Sequence, residues 1–248
     1  CRRRGIVVCN VPTYGSATVA EHAFALLLSV SRKIPESTER TRHGEFDFRK
    51  LQGFDLEGKI IGILGTGRIG THVARIAKGF GMTVLGYDTR PNKQAAEDIG
   101  FLYVSVGQLL KSSDVISLHL PYSKETHHFL GRDEFGKIKK GVIVINTARG
   151  GLIDTDALLA ALDDGTVQAA GLDVLEEEGM LKEERELLSS GSSKKKLQIA
   201  LENTVLLKRP NVIVTPHNAF NSEESIKRIL DTTIENVEKF FAGHPQNV

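Results

Sequence analysis

From Lys59 onward, short β-rich apolar runs alternate with longer stretches of mixed polarity. The runs are Ile60–Leu64, Thr83–Tyr87, Val115–Leu118, Val142–Ile145, Ala169–Leu172 and Val212–Val214. Between them lie Ile69–Phe80, Lys93–Ile99, Val106–Lys111, Arg132–Lys137 and Thr155–Asp164, each long enough for at least a turn or two of helix. Such alternation predicts the α/β class: a doubly wound parallel sheet, Rossmann-like, with helices on both faces. Ahead of it, Ile6-Val7-Val8 reads as an opening strand and Val11–Ser16 as a loop. Ser16 or Thr18 is expected to cap a helix from Val19 to about Ser31. The polar segment Pro35–Glu57 reads as a helix and a connecting loop. At the far end Ile226, Ile229, Leu230, Ile234, Val237, Phe240 and Phe241 recur at helical spacing. They predict an amphipathic helix over Ser222–Phe241 that should dock on something. Glu176–Arg209, with Ser189–Lys196 at its centre, breaks the rhythm and reads as a solvated surface excursion.

Composition narrows the class little further. A hydrophobic content of 40% and a charged content of 25% are ordinary for a globular chain. The net charge of +1 argues against a nucleic-acid surface, which usually carries a marked basic excess. The longest apolar run, around Ala23–Leu28, is bounded by Glu21-His22 and Arg32-Lys33 and is too short for a membrane span. Cys1 and Cys9 are the only cysteines and cannot staple a chain of this size, so a reduced, cytoplasmic setting is expected. No signal-peptide pattern precedes the first apolar run.

The first chemical signal is Gly65-Thr66-Gly67-Arg68-Ile69-Gly70, placed between a strand and a helix. In such a loop Gly65 permits the tight turn, Gly67 lets a pyrophosphate approach the backbone, and Gly70 lets the helix pack on the strand. The phosphates then meet the free N–H groups and positive dipole of the helix, from Arg68 and Ile69 onward. Asp88 ends the next strand at about the offset expected of a ribose-binding acid. A carboxylate there repels a 2′-phosphate and favours NAD over NADP, although Arg90 nearby could pair with that phosphate.

Ligands of open parallel sheets bind at the carboxyl ends of the strands. Those ends carry His119-Leu120-Pro121, Asn146-Thr147-Ala148-Arg149, Asp173 with Glu178 beyond it, and Thr215-Pro216-His217. Each residue alone has a bland reading as packing or turn. Together, an arginine fork for a carboxylate or keto oxygen, a histidine able to pass a proton and an acid to favour its imidazolium suit hydride transfer with a 2-keto acid.

With these stretches, and with Asn10-Val11-Pro12, Val19-Ala20-Glu21-His22 and Gly171-Leu172-Asp173-Val174, the sequence resembles the D-isomer-specific 2-hydroxyacid dehydrogenases, and more narrowly their D-lactate dehydrogenase-like branch. The resemblance implies Arg149 as the substrate-binding arginine, Glu178 as the acid partner and His217 as the acid/base. It also implies Asp173 at the nicotinamide carboxamide, and His119, Pro121 and Thr147 along the cofactor. Tyr14 and Phe220 resemble pocket-wall residues, and the helix over residues 19–30 resembles one that builds a homodimer interface. Residues 1–10 then correspond to a remnant of an N-terminal substrate domain, 11–221 to the NAD-binding domain and 222–248 to a helix returning to the substrate domain. Nearly all of that substrate domain is missing from this sequence, so NAD binding with poor turnover is expected of the chain by itself. Gly179 stands where many members have proline, and the excursion before His217 is longer than usual. The implied reaction interconverts a D-2-hydroxy acid and its 2-keto acid, D-lactate and pyruvate first. A glyoxylate or hydroxypyruvate reductase, or an NAD-sensing corepressor-like binding protein, are the alternatives.

Overall fold

The computed structural model describes residues 1–178 and 194–248; residues 179–193 of the expected surface excursion, Gly179 and Ser189–Ser193 among them, lie outside these. The described part of that excursion is not simply solvated, since Lys194–Leu207 is a helix that buries Ile199, Ala200, Asn203 and Leu206. The helices are α1 (Ser16–Ser31), α2 (Ile34–Arg42), α3 (Arg68–Gly79), α4 (Lys93–Ile99), α5 (Val106–Ser112), α6 (Arg132–Phe135), α7 (Thr155–Asp163), α8 (Lys194–Leu207) and α9 (Glu223–Phe241). The strands are β1 (Ile60–Leu64), β2 (Thr83–Tyr87), β3 (Leu102–Tyr103), β4 (Val115–Leu118), β5 (Val142–Asn146), β6 (Val167–Leu172) and β7 (Val212–Val214). They form one seven-stranded sheet in the order β3-β2-β1-β4-β5-β6-β7, with every pairing parallel. The order reverses between β1 and β4, the crevice where doubly wound sheets take ligands.

Successive strand residues point to opposite faces, and the core divides accordingly. Ile116, Leu118, Val142, Val144, Ala170 and Leu172 pack in one cluster with Leu109, Leu158 and Leu162 from α5 and α7. Ile61, Ile63, Val84, Val115, Ile143 and Ile145 pack in the other with Phe24 and Leu27 of α1 and Val73, Ala74 and Ala77 of α3. Helix α1 lies over β5, β6 and β7. It approaches so closely that a Cβ on Gly171 would sit 2.9 Å from the Leu26 Cβ.

Several local expectations need correction. Ile6, Val7 and Val8 join no strand and are exposed by 53%, 40% and 56%, because among the described residues no neighbouring strand offers them backbone partners. Helix α1 starts at Ser16 with Gly15 as its N-cap and no side-chain cap. Ser16 and Thr18 therefore lie inside the first turn, and the Thr18 hydroxyl instead meets Ser222 Oγ at 3.3 Å. The edge strand β3 was not anticipated, since two residues give no readable period. The C-terminal helix forms, capped by Ser222 Oγ accepting from Ser225 N at 3.2 Å. Its docking is polar: Asn236 Nδ2 donates to Asn10 O at 3.0 Å and Ser225 is fully buried. The apolar residues face outward, with Leu230 57%, Ile234 58% and Phe241 81% exposed. Among the described residues no helix is long and apolar enough to cross a membrane.

Candidate active site

The loop from β1 to α3 stands against the end of β2. Gly65 adopts φ +93°, and a Cβ there would lie 2.7 Å from the His119 carbonyl carbon, so only glycine fits. A Cβ on Gly70 would lie 2.0 Å from Gly65 O, which keeps the first turn of α3 tight against the loop. Gly67 caps α3, and a Cβ on it would meet nothing within 4 Å. The first amides of α3, at Arg68 and Ile69 among others, have no acceptor inside the helix by its geometry, and the positive end of its dipole lies there. Arg68 also ties the loop down, donating from Nη1 to Pro12 O at 3.0 Å. Asp88 Oδ2 accepts from Thr66 N at 2.8 Å, and Oδ1 accepts from Arg90 N at 2.8 Å. The carboxylate is thereby fixed beside the glycine loop.

Three buried polar atoms at the neighbouring strand ends have no partner among the described residues: His119 Nδ1, Thr147 Oγ1 and Asn218 Oδ1. Buried polar groups are seldom left unpaired unless a ligand or water serves them. His119 Nε2 pairs with Ser117 Oγ at 2.8 Å, and burial pushes its pKa down to about 4, so the ring is neutral near pH 7. Pro121 follows on the same exposed loop and anchors it by accepting from Thr126 Oγ1 at 2.7 Å. An open glycine loop at a helix N-terminus, an acid at the end of β2 and these unpaired donors and acceptors fit NAD.

Asp173 is 1% exposed and organises the turn after β7. Its carboxylate accepts from Thr215 Oγ1 at 2.5 Å, Asn218 N at 3.0 Å and Ala219 N at 2.9 Å, and His22 Nε2 lies 3.4 Å away. Burial works to raise its pKa, but hydrogen bonds from His22, Thr215 and the two amides outweigh it and hold the carboxyl below its ordinary value. The same turn carries His217 at φ +55°. That strained backbone is held by His217 N donating to Asp173 O at 2.9 Å.

His217 Nδ1 meets Glu178 Oε1 in a short ion pair. The three consecutive glutamates thus separate cleanly. Glu177 points out toward Lys196, 3.5 Å away, while Glu176 turns inward and is 8% exposed. Arg149 is exposed at the end of β5 and bonds Ala148 O through Nη1 at 2.6 Å. Among the described residues it forms no hydrogen bond or ion pair with His217 or Glu178, yet its loop touches theirs: a Cβ on Gly150 would sit 2.0 Å from the Leu175 carbonyl. Asn146 braces the loop, with Nδ2 donating to Arg149 O at 2.9 Å and Oδ1 accepting from Ala148 N at 3.0 Å. Tyr14 and Phe220 meet edge to face with centroids 6.4 Å apart. Parallel register places these groups in one row, pairing Leu118 with Asn146, Asn146 with Leu172 and Leu172 with Val214.

Sequence reasoning named Asp173 and His217 but missed the residues that join them: His22, Thr215 and Asn218. Thr215 and Asn218 flank a named residue and could have been found. His22 lies on α1, 193 residues from Thr215, to which its Nε2 is bonded at 3.0 Å, and only the fold reveals that pairing.

Comparison with known proteins agrees with this geometry. Residues 24–219 match the profile described as "D-isomer specific 2-hydroxyacid dehydrogenase, NAD binding domain". A "2-hydroxyacid dehydrogenase homolog" of Haemophilus influenzae is 39% identical over 96% of this chain and 70% of its own length. A D-3-phosphoglycerate dehydrogenase of Methanocaldococcus jannaschii is 38% identical over 97% of this chain, which spans only 42% of that protein. The crystal structure of D-lactate dehydrogenase from Aquifex aeolicus, complexed with NAD and lactic acid, superposes with a TM-score of 0.88 at 38% identity, covering 98% of this chain and 72% of that one. The chain belongs to the D-isomer specific 2-hydroxyacid dehydrogenases, whose NAD-binding domain it carries.

Proposed function

We propose that the protein interconverts a D-2-hydroxy acid and its 2-keto acid, with D-lactate and pyruvate the preferred pair. The observation that carries this reading is the His217–Glu178 pair at the strand ends, beside the loop of Arg149. Arg149 offers a planar fork that holds the substrate carboxylate and polarises the keto oxygen. NAD, when bound, supplies or receives the hydride. Glu178 accepts the Nδ1 hydrogen of His217 and fixes the ring. Nε2 is then the nitrogen that gives a proton to the carbonyl oxygen in reduction and takes it back in oxidation. Gly65, Gly67, Gly70 and the first turn of α3 hold the pyrophosphate, Asp88 the adenosine ribose, and Thr147, His119 and Pro121 line the cofactor. Tyr14 and Phe220 form an apolar wall suited to a small side chain such as the methyl of lactate. We also propose pairing into a homodimer through α1. Val19, Ala20, Ala23, Phe24, Leu26 and Leu27 already pack within the chain, so Glu21, Ala25 and part of Leu28 would make that contact.

The test follows NADH oxidation by the full-length protein with pyruvate, glyoxylate and hydroxypyruvate. Pyruvate is expected to give the highest kcat/KM. His217→Ala is expected to lower kcat by about 10²–10⁴-fold while the calorimetric affinity for NADH stays within twofold. Near-normal turnover in that variant would sink the assignment. Preference for glyoxylate or hydroxypyruvate would move the substrate and leave the mechanism standing.

A further inference from the structure

Outside this row, the loop after β4 carries Tyr122, His127 and His128. The rings of His127 and His128 stack with centroids 3.8 Å apart, and His128 Nε2 lies 2.8 Å from Glu176 Oε1. One ligand atom from each of His127, His128 and Glu176 lies within 4.8 Å of the other two. Two imidazoles and a carboxylate thus converge from loops that leave different strands, and the mechanism above uses none of them.

The surroundings suit more than an ion pair. His128 Nδ1 faces Asp154 Oδ2 at 3.6 Å, so a carboxylate backs the ring on the side away from Glu176. Histidines that ligate metals commonly turn their second nitrogen to such a carboxylate, which fixes the tautomer and makes the ligating nitrogen more basic. Asp154 is itself held, its Oδ1 accepting from Ala157 N at 3.2 Å at the start of α7. Thr155 Oγ1 donates to Glu176 Oε2 at 3.0 Å, leaving Oε1 toward His128. Asn203 Nδ2 fixes the backbone by donating to Glu176 O at 2.7 Å. Tyr122 OH lies 3.1 Å from His127 Nδ1 and steadies the third ligand.

We propose that His127, His128 and Glu176 bind a first-row transition-metal ion of the zinc type, at a site separate from that of NAD. Imidazole with carboxylate suits Zn²⁺, and three protein ligands leave the fourth tetrahedral position to water. The ion takes the place of the proton between His128 Nε2 and Glu176 Oε1, and that proton passes to solvent. Tetrahedral ligands about 2.0 Å from zinc stand about 3.3 Å apart. The pair, now at 2.8 Å, needs to open by only about half an ångström.

The experiment titrates the purified chain with ZnCl₂ by calorimetry and with CoCl₂ by visible absorption. Saturation at one ion per chain and an intense tetrahedral cobalt band are expected. His127→Ala should weaken Zn²⁺ binding by about tenfold or more, and Asp154→Asn, which keeps the helix cap, by a similar factor. His127 is exposed, so its removal should leave the zinc-free melting temperature unchanged. His127→Gln, which preserves bulk, provides a second variant with the same expected loss. Absence of saturable binding, or equal zinc affinity in the parent and both His127 variants, would overturn the site and leave His128–Glu176 an ion pair alone.

Discussion

His119 shows how a single side chain couples the cofactor side of the sheet to pH. Its ring is held neutral by burial, with a pKa of about 4 against 6.5 for a free histidine. Between those values the unfolded chain binds a proton that the folded chain refuses. Unfolding therefore becomes easier as pH falls from 6.5 toward 4, by at most about 1.4 kcal/mol per pH unit from this group. Above pH 6.5 the contribution is flat. His119→Gln removes the titrating ring, so urea unfolding measured at pH 6.5 and 4.5 should show a smaller loss of stability in the variant than in the parent. Equal losses would mean that the ring opens to solvent without cost. At this scale the sequence carried Gly65, Gly67, Gly70 and Asp88 openly, because one loop and one strand end contain them all. It could not show that Glu176 meets His128 or that His22 meets Thr215 and Asp173, because those pairs lie 48, 193 and 151 residues apart.

Among the elements, α1 does most to close the sheet. Its Ala20, Ala23, Leu26 and Leu27 are nearly inaccessible, and Gly171 lets it lie directly on β6. Leu27, 1% exposed, has no room to be shortened without leaving a hole. Leu27→Ala is expected to cost about 2–5 kcal/mol in chemical denaturation, from lost burial and the cavity left behind. Val30→Ala, on the same helix but only partly covered, should cost clearly less. A loss below about 1 kcal/mol for Leu27→Ala would show that α1 is loosely packed. The strands were legible because a central parallel strand is covered on both faces and reads as an unbroken apolar run. Helix ends were less so. Helix α1 starts after Gly15 with no side-chain cap, and the hydroxyls of Ser16 and Thr18, whose cap-like chemistry suggested otherwise, lie inside its first turn.

Across the described residues, the two faces of the sheet are covered and the outer face of α9 is not. Ile226, Leu230, Ile234, Val237 and Phe241 recur every three or four residues along that helix and are 37%, 57%, 58%, 51% and 81% exposed. The amphipathic pattern was plain in the sequence, but a pattern states only that a stripe is apolar, not what covers it. A contiguous stripe of this kind should take up an apolar dye and promote association. Replacing Leu230 and Ile234 together by lysine interrupts it at two successive turns. No residue of α9 belongs to the glycine loop or to the strand-end row, so the double variant should bind NADH within twofold of the parent. It should also lose most of the dye fluorescence and stay smaller at high concentration in sedimentation velocity. Unchanged association would move the contact elsewhere, and Ala25→Lys on α1 then tests the proposed dimer face directly. A matched fall in NADH affinity would show instead that α9 supports α1, whose Thr18 hydroxyl meets Ser222 Oγ and whose His22 is hydrogen-bonded to Thr215 beside His217.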